Sequence, residues 1–213
     1  CLAEYLLNIE GETVIDLGCG SGFLAILAAK LGAKQVYALD YLADACELTL
    51  KNADLNGVAD VMICKQGDLF ESMEGIRAET IINDVSGVAE DLARASGWFP
   101  EPIPTGGPDG ADLAVRMFDA APAHLSPNGR VIFPLISLSN EERILDAARA
   151  NFKEINRLHH RRFPLPPSLS KNAAVMDKIL ANKNFRVFKK GSRWVWELQV
   201  FEARHPRRSY LSE

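Results

Sequence analysis

A glycine-rich turn near the start of the chain is the feature whose residues most clearly suggest chemistry. The segment Val14-Ile15-Asp16-Leu17-Gly18-Cys19-Gly20-Ser21-Gly22 runs from a short apolar strand into an apolar helix, with glycine at every second position of the turn. Glycine lets the backbone turn tightly and lets a ligand approach the main chain. The helix that follows offers free N–H groups and the positive end of its dipole. We therefore expect a small-molecule site at this turn.

The spacing of the glycines and the acid before them indicate the charge of that ligand. The glycines at 18, 20 and 22 differ from the G-x-G-x-x-G fingerprint of dinucleotide enzymes, because the third comes one residue sooner. The carboxylate of Asp16 would repel a pyrophosphate, whereas it would attract the sulfonium and the α-amino group of S-adenosylmethionine (SAM). The pattern favours SAM, and a nucleotide-dependent oxidoreductase is the alternative.

Two further acids follow later strands of the same predicted sheet. Asp40 ends the second strand and could accept hydrogen bonds from both ribose hydroxyls, while Asp68 and Leu69 follow the third and could contact adenine. A single acid at a strand end is often a helix cap. Three acids at successive strand ends favour a ligand, because these ends meet at one edge of the sheet. The predicted SAM-binding residues are Asp16, Gly18, Cys19, Gly20, Gly22, Asp40, Tyr41, Asp68 and Leu69.

The candidate acceptor site follows the fourth predicted strand, where the chain reads Asn83-Asp84-Val85-Ser86-Gly87. Methyl transfer to an acceptor that carries a proton can need a base. We predict that Asp84 binds or deprotonates the acceptor and that Asn83 and Ser86 orient it. The alternative is that Asp84 caps the next helix, which could begin near Ser86.

Two segments are candidate lids over this site. Residues 96–110 are rich in proline and glycine, and a loop of this length inside a compact domain is usually functional or mobile. Trp98 and Phe99 could form an aromatic wall for the acceptor or could anchor the loop to the core. Residues 159–170 begin with two histidines and two arginines. This segment could be a second lid or a contact for an anionic partner, and the alternative is a solvated strand end.

The elements that must position these residues alternate between strand and helix, which predicts a parallel sheet. We expect a single α/β domain over residues 1–213, with a Rossmann-like, mostly parallel seven-stranded sheet and an antiparallel C-terminal strand. The predicted strands and helices are, in chain order, strand 13–17, helix 23–31, strand 35–39, helix 42–55, strands 61–65 and 80–83, helix 111–125, strand 130–136, helix 140–152, strand 154–158, helix 171–182 and a hairpin of 185–188 with 194–201.

Composition excludes several classes of function. A net charge of -4 argues against strong non-specific nucleic-acid binding, although it leaves room for a local basic patch. The sequence has no apolar run of the roughly 18 residues that cross a bilayer, so we expect no membrane partner. The four cysteines form no C-x-x-C pair and no zinc set. We expect reduced thiols in a cytoplasmic protein without a metal. The chain opens with Cys1, so we also expect a missing N-terminal segment.

Over residues 3–152 the chain resembles the class I SAM-dependent methyltransferases. The turn 16–22 is similar to their first motif, Asp40 to their ribose-binding acid, and Gly67-Asp68 to their adenine contact. The resemblance implies the same fold and SAM as cofactor.

Two families of the small-domain methyltransferase group are similar to parts of the chain. Residues 14–57 resemble the ribosomal-protein lysine methyltransferases, and residues 106–112 resemble a stretch of the release-factor glutamine methyltransferases. The glutamine and adenine N-methyltransferases carry Asn-Pro-Pro-Tyr where this chain has Asn83 followed by Asp84, Val85 and Ser86. The resemblance implies methyl transfer to a nitrogen or oxygen, with a protein acceptor favoured. An RNA or small-molecule acceptor and a non-catalytic SAM-fold module are the alternatives.

Overall fold

The strand that leads into the glycine turn lies at the centre of the fold. The computed structural model describes residues 2–6, 8–97, 99 and 101–207. In it, strand β1 (Thr13–Leu17) has the predicted bounds and four consecutive buried residues. Strands that are buried on both faces are typical of parallel sheets with helices on both sides.

The remaining elements follow in the alternation that the sequence predicts. Within the described residues they are α1 (Phe23–Lys30), β2 (Gln35–Asp40), α2 (Ala43–Leu55), β3 (Met62–Gln66), β4 (Ala78–Asn83), α3 (Glu90–Ser96), α4 (Asp112–Ala120), β5 (Leu125–Ile136), α5 (Glu141–Asn151), β6 (Phe152–Pro164), α6 (Pro167–Ser170), α7 (Ala173–Ala181), β7 (Phe188–Lys190) and β8 (Arg193–Pro206).

The sheet has the strand order β3-β2-β1-β4-β5-β8-β6, and β7 pairs with β8 as an additional short strand. The first five strands are parallel, and β8 is antiparallel to both β5 and β6. The prediction of a mostly parallel sheet with an antiparallel C-terminal strand is therefore confirmed. The predicted number of seven strands is wrong, because the short strand β7 pairs with β8 and brings the described sheet to eight. The chain moves outward from β1 through β2 to β3 and then returns to β4 on the other side of β1. Ligands of open α/β sheets bind where the strand order reverses in this way.

Helices cover both faces of the sheet and bury its alternate side chains. On one face Ile15 and Phe133 pack with residues of α4 and α5 such as Phe118. On the other face Val14 packs with residues of α1 and α2, including Ala25. Leu17, the last residue of β1, still packs in the first of these cores and leads directly into the glycine turn.

Several elements differ from their predicted bounds for non-local reasons. Residues 126–129, which the sequence left between a predicted helix and a predicted strand, form an irregularity inside β5, between the pairs Ala78–Leu125 and Thr80–Arg130. The strand expected at 154–158 extends to Pro164, because β8 pairs with it along its length. No helix among the residues that the structure describes has the length and apolar character to cross a membrane.

Candidate functional site

A cavity of about 610 Å³ lies at the carboxyl ends of the parallel strands, at the point where the strand order reverses. This volume is in the range of small-molecule sites in proteins. Six predicted cofactor residues and two predicted acceptor residues line it, namely Gly18, Gly20, Asp40, Tyr41, Asp68, Leu69, Asp84 and Ser86. The structure thus brings together residues that are up to 68 positions apart in the chain.

The glycine turn is held by the end of β2. The N–H groups of Gly18 and Cys19 donate to the carbonyl oxygen of Leu39 at 2.8 and 3.0 Å. The next N–H group, that of Gly20, donates to Oδ2 of Asp40 at 2.9 Å, and Oδ1 of Asp40 accepts from the N–H of Leu42 at the same distance. Three amides of the turn are therefore already paired inside the protein, in contrast to a turn that cradles a phosphate with free amides.

Two of the glycines are required by close packing. All three glycines have positive φ angles, which residues with a side chain rarely adopt. A Cβ atom on Gly18 would lie 3.1 Å from the carbonyl oxygen of Asp84, and one on Gly22 would lie 2.9 Å from Cγ2 of Thr49 in α2. Around Gly20 the nearest atom to such a Cβ is 4.0 Å away, so this glycine leaves its surroundings open. Gly20 lines the cavity, and a ligand can approach its main chain there.

Asp16 lies behind the turn, with 1% of its surface exposed. Neither carboxylate oxygen has a hydrogen-bond partner among the described residues. The backbone amide of Ala25, in the first turn of α1, favours the charged form of the carboxyl group and so lowers its pKa. Burial, and then the nearby Cys19 thiol and Asp84 carboxylate, raise the pKa of Asp16 well above its usual range. Buried polar groups are almost always paired in native proteins. An unpaired buried carboxylate beside the turn suits a ligand that brings positive charge or donors.

Asp84 faces the cavity and does not cap a helix. Helix α3 begins only at Glu90, and its N-cap position is Ala89, so the helix-cap alternative for Asp84 is wrong. The backbone N–H of Asp84 donates to the carbonyl oxygen of Leu17 at 3.0 Å, which joins the end of β4 to β1. The residue is exposed at the cavity wall, but neighbouring protein atoms remove its carboxyl group partly from water, and this raises its pKa to about 6.

Asn83 takes a different position from its neighbour. It is 2% exposed and is not among the residues that line the cavity. Its Oδ1 atom has no hydrogen-bond partner among the residues that the structure describes. Successive residues of a strand point to opposite faces, and so Asn83 and Asp84 diverge at the end of β4.

An arginine that the sequence analysis missed reaches the part of the cavity that Asp68 lines. Arg116 on α4 forms an ion pair with Oδ2 of Asp68 at 2.8 Å, and both residues line the cavity. Leu113 lies one turn earlier on the same side of α4 and also lines the cavity. In the sequence, the spacing of three residues between Leu113 and Arg116 on a predicted helix indicates only that both lie on one side of that helix. Leu69, which follows Asp68, has a φ of 53°, a left-handed conformation that is uncommon for a residue with a side chain.

The proline–glycine loop forms an apolar wall of the cavity. Four of its residues line the cavity, namely Phe99, Pro102, Ile103 and Pro104. Arg94 of α3 holds this loop, because its Nη1 atom donates to the carbonyl oxygens of Phe99 at 2.6 Å and Ile103 at 3.1 Å. Its Nη2 atom lies 3.2 Å from a carboxylate oxygen of Glu101. Trp98 lies outside the described residues.

The second candidate lid does not line the cavity. Residues 159–164 belong to β6 at the edge of the sheet. Leu165 and Leu169 pack in a cluster that also includes Phe99 of the proline–glycine loop. The hydroxyl of Ser168 donates to the carbonyl oxygen of Ser96 at 3.1 Å. This segment therefore supports the loop from behind.

The sequence comparisons relate the first half of the chain to one family. Residues 1–97 match the family model of ribosomal protein L11 methyltransferase (PrmA). The ribosomal protein L11 methyltransferase of Syntrophomonas wolfei subsp. wolfei is 38% identical over 76 residues, which cover 36% of this chain and 25% of that protein. The same enzyme of Pelotomaculum thermopropionicum is 43% identical over 88 residues, which cover 40% and 28%. The chain spans about a quarter of the length of these curated relatives.

The structural comparisons extend over almost the whole chain. The ribosomal protein L11 methylase of Lactobacillus delbrueckii subsp. bulgaricus aligns with a TM-score of 0.57 at 20% identity, covering 96% of this chain and 78% of that chain. A precorrin-6y C5,15-methyltransferase of Geobacter metallireducens aligns with a TM-score of 0.59 at 11% identity, covering 95% and 84%. At these identities the likeness concerns the fold. The chain has the class I methyltransferase fold, and its first 97 residues are related to the ribosomal protein L11 methyltransferases.

Proposed function

We propose that this chain is a SAM-dependent methyltransferase that binds SAM in the cavity at the reversal point of the sheet. The observation that carries the proposal is the cluster of Asp16, Asp40 and Asp84 around a glycine turn whose amides are already paired. Such a site attracts positive charge and offers few donors to a phosphate. The methyltransferases to which residues 1–97 are related support the same reading.

In this proposal the parts of SAM lie in order along the cavity. Asp40 is placed to accept hydrogen bonds from the ribose hydroxyls with the lone pairs that the turn leaves free. Leu69 and Asp68 would hold the adenine ring and its amine. The open side of Gly20 would face the methionine part. Asp16, buried behind the turn, would contribute negative charge toward the ammonium group and the sulfonium, which both carry positive charge.

Asp84 is the proposed group for the acceptor. The bound cofactor supplies an activated methyl carbon, so the protein has to position the acceptor and exclude water. An amine needs a free lone pair to attack, and a carboxylate with a pKa of about 6 can take its proton near neutral pH. The methyl group would leave sulfur, which keeps the electron pair of the S–C bond, and would bond to the acceptor nitrogen, while Asp84 would take the proton of that nitrogen. The apolar wall with Phe99 and Ile103 would keep water from this step.

We further propose a nitrogen of a protein as the acceptor, which agrees with the names of the related enzymes. In the same proposal the chain acts as a single domain in the cytoplasm. The described cysteines are free thiols, as a reducing compartment requires.

A labelling experiment tests this function. The protein is incubated with tritiated SAM and either ribosomal protein L11 or cell extract that is separated into protein, RNA and metabolite fractions. We expect label in protein. Asp84→Asn should retain SAM binding by calorimetry and lose about 10²- to 10⁴-fold in transfer rate, the usual contribution of a general base. Glu90→Gln, an exposed acid at the start of α3, is the matched control and should transfer at the wild-type rate.

Each other outcome contradicts a part of the proposal. SAM binding without label in any fraction would indicate a non-catalytic module. Label in RNA alone would replace the protein acceptor. Equal transfer by Asp84→Asn and the wild type would remove Asp84 from the chemistry.

A further inference from the structure

The C-terminal third of the chain carries a concentration of positive charge that the methyltransferase site does not use. Residues 155–196 contain ten Lys and Arg residues and a single acid, Asp177, although the whole chain has a net charge of -4. This segment therefore has a formal charge of +9, and the rest of the chain compensates with -13. Such an asymmetry indicates an anionic partner for one surface of the protein.

The fold gathers part of this charge into one cleft. The ends of β6 and β7 both pair with the start of β8, where Val195 lies opposite Pro164 on one side and Phe188 on the other. Between them a concave surface of about 620 Å³ is lined by the four cations Arg162, Lys189, Lys190 and Arg193, together with Pro164 and Val195. We call this the basic cleft.

The cations of the basic cleft have little negative charge to balance them. Lys190 and Arg193 are exposed and form no ion pair among the residues that the structure describes. They are direct cross-strand partners in the β7–β8 hairpin. Like charges in this position destabilise a hairpin, so their pairing favours an anion between them. Arg162 contacts Glu197 at 3.1 Å, but that carboxylate also binds His160 at 2.8 Å.

Aromatic rings hold two of these cations in place. The guanidinium of Arg162 lies over the ring of Phe188, with 4.3 Å to its centroid, and Nζ of Lys189 lies 4.8 Å from the centroid of Trp194. A guanidinium that is stacked in this way keeps its planar donors directed outward, in the geometry that binds a phosphate with two hydrogen bonds. The rings themselves are only partly buried.

We propose that the basic cleft binds the phosphate backbone of single-stranded RNA. Proteins that bind single strands follow the phosphate backbone with a positively charged groove. The basic cleft offers four cations and no acid among its lining residues. The rings of Phe188 and Trp194 lie against two of these cations and are not themselves lining residues.

The position of the basic cleft gives this binding a use. Ile136, at the carboxyl end of β5, pairs with Leu198, so the residues of β8 before it extend past that end of the sheet. The methyltransferase cavity opens at the same end. RNA held in the cleft would therefore lie at the same end of the sheet as the cavity, although the binding itself does not depend on methyl transfer.

Fluorescence anisotropy of the full chain with a fluorescein-labelled polyuridylate of about 15 nucleotides, a length that fits a single-strand site, tests the proposal. Lys190→Glu with Arg193→Glu should weaken binding at least about tenfold and should lower the salt slope by about 1.4, since each phosphate contact on a single strand contributes about 0.7. The control is Lys34→Glu with Lys51→Glu, which changes the net charge by the same amount on exposed residues outside the cleft. At physiological salt, where long-range attraction is screened, it should leave the affinity for RNA nearly unchanged.

The neutral pair Lys190→Gln with Arg193→Gln keeps the test valid if charge reversal disturbs the fold, which circular dichroism would show. It should weaken binding by an intermediate amount without lowering the melting temperature, because it removes two like charges that face each other across the hairpin. The proposal is overturned if the wild type does not bind polyuridylate, if the control pair weakens binding as much as the cleft pair, or if polyglutamate of equal length binds more tightly than the RNA. The last result would assign the cleft to an acidic protein.

Discussion

Asp40→Asn separates the structural role of this acid from its proposed role in holding SAM. Each carboxylate oxygen accepts one backbone N–H at 2.9 Å, from Gly20 and from Leu42. Asparagine has one acceptor and turns its NH₂ group toward the other N–H, so one charged hydrogen bond is lost and the second becomes neutral. Hydrogen bonds to charged groups contribute about 1.5–3 kcal/mol. We expect the free energy of unfolding to fall by about 2–3 kcal/mol, a melting temperature about 4–12 °C lower for a domain of this size.

The same substitution should weaken SAM binding. The ribose would meet one neutral acceptor in place of two charged ones, and a loss of about 2–3 kcal/mol corresponds to an increase of about 30- to 150-fold in Kd. Calorimetric titration with SAM at a temperature well below both melting points measures it. Asp54→Asn, the same chemical change at an exposed position of α2, should shift stability by less than about 0.5 kcal/mol and leave Kd unchanged. A lower melting temperature with an unchanged Kd would refute the ribose assignment, and no change in either would refute both roles.

Two further predictions concern the turn and Asp84. Gly22→Ala should lower the free energy of unfolding by about 1–2 kcal/mol because of its positive φ and by about 1–3 kcal/mol more because of the contact with Thr49. Gly20→Ala should melt closer to the wild type but bind SAM more weakly. Equal melting curves and equal affinities of the two variants would contradict this difference. The raised pKa of Asp84 stabilises the fold below the ordinary aspartate pKa, and this contribution is lost as the pH rises through about 6. Asp84→Asn should therefore have a higher melting temperature than the wild type at neutral pH and the same melting temperature at about pH 3.5. The rate of methyl transfer by the wild type should decline below about pH 6. A difference in melting temperature that grows toward acid pH would contradict the raised pKa of Asp84.

Local sequence patterns predicted the part of the site that is built from strand ends. The predicted bounds of β1 were correct because a short run of apolar residues, typical of a buried strand, ends at Gly18, where the glycine-rich turn begins. The order of strand and helix then implied that Asp40, Asp68 and Asp84 would reach one edge, since parallel strands have their carboxyl ends together. The structure places all three at the cavity.

Contacts between distant segments were beyond the reach of such patterns. Arg116 reaches Asp68 across 48 positions, and no local signal pairs these two side chains. Arg94 holds the proline–glycine loop through main-chain carbonyl groups of Phe99 and Ile103, which any residues at those positions would offer. The extension of β6 to Pro164 depends on hydrogen bonds from β8, since its mostly exposed residues show no alternation.

The sequence by itself determined the element order, the glycine turn and the sign of the charge around it. These properties depend on the backbone freedom of glycine, on burial along short segments and on the identity of the acids. Only the tertiary structure decided that Asp84 lines the cavity while Asn83 does not, and that Lys190 and Arg193 meet across a hairpin. It also decided that Asp16 is buried and that no side-chain hydrogen bond reaches its oxygens from the described residues. These features depend on which surfaces remain open after the strands pack. Hydrogen bonds and burial between segments that are distant in the chain determine those surfaces.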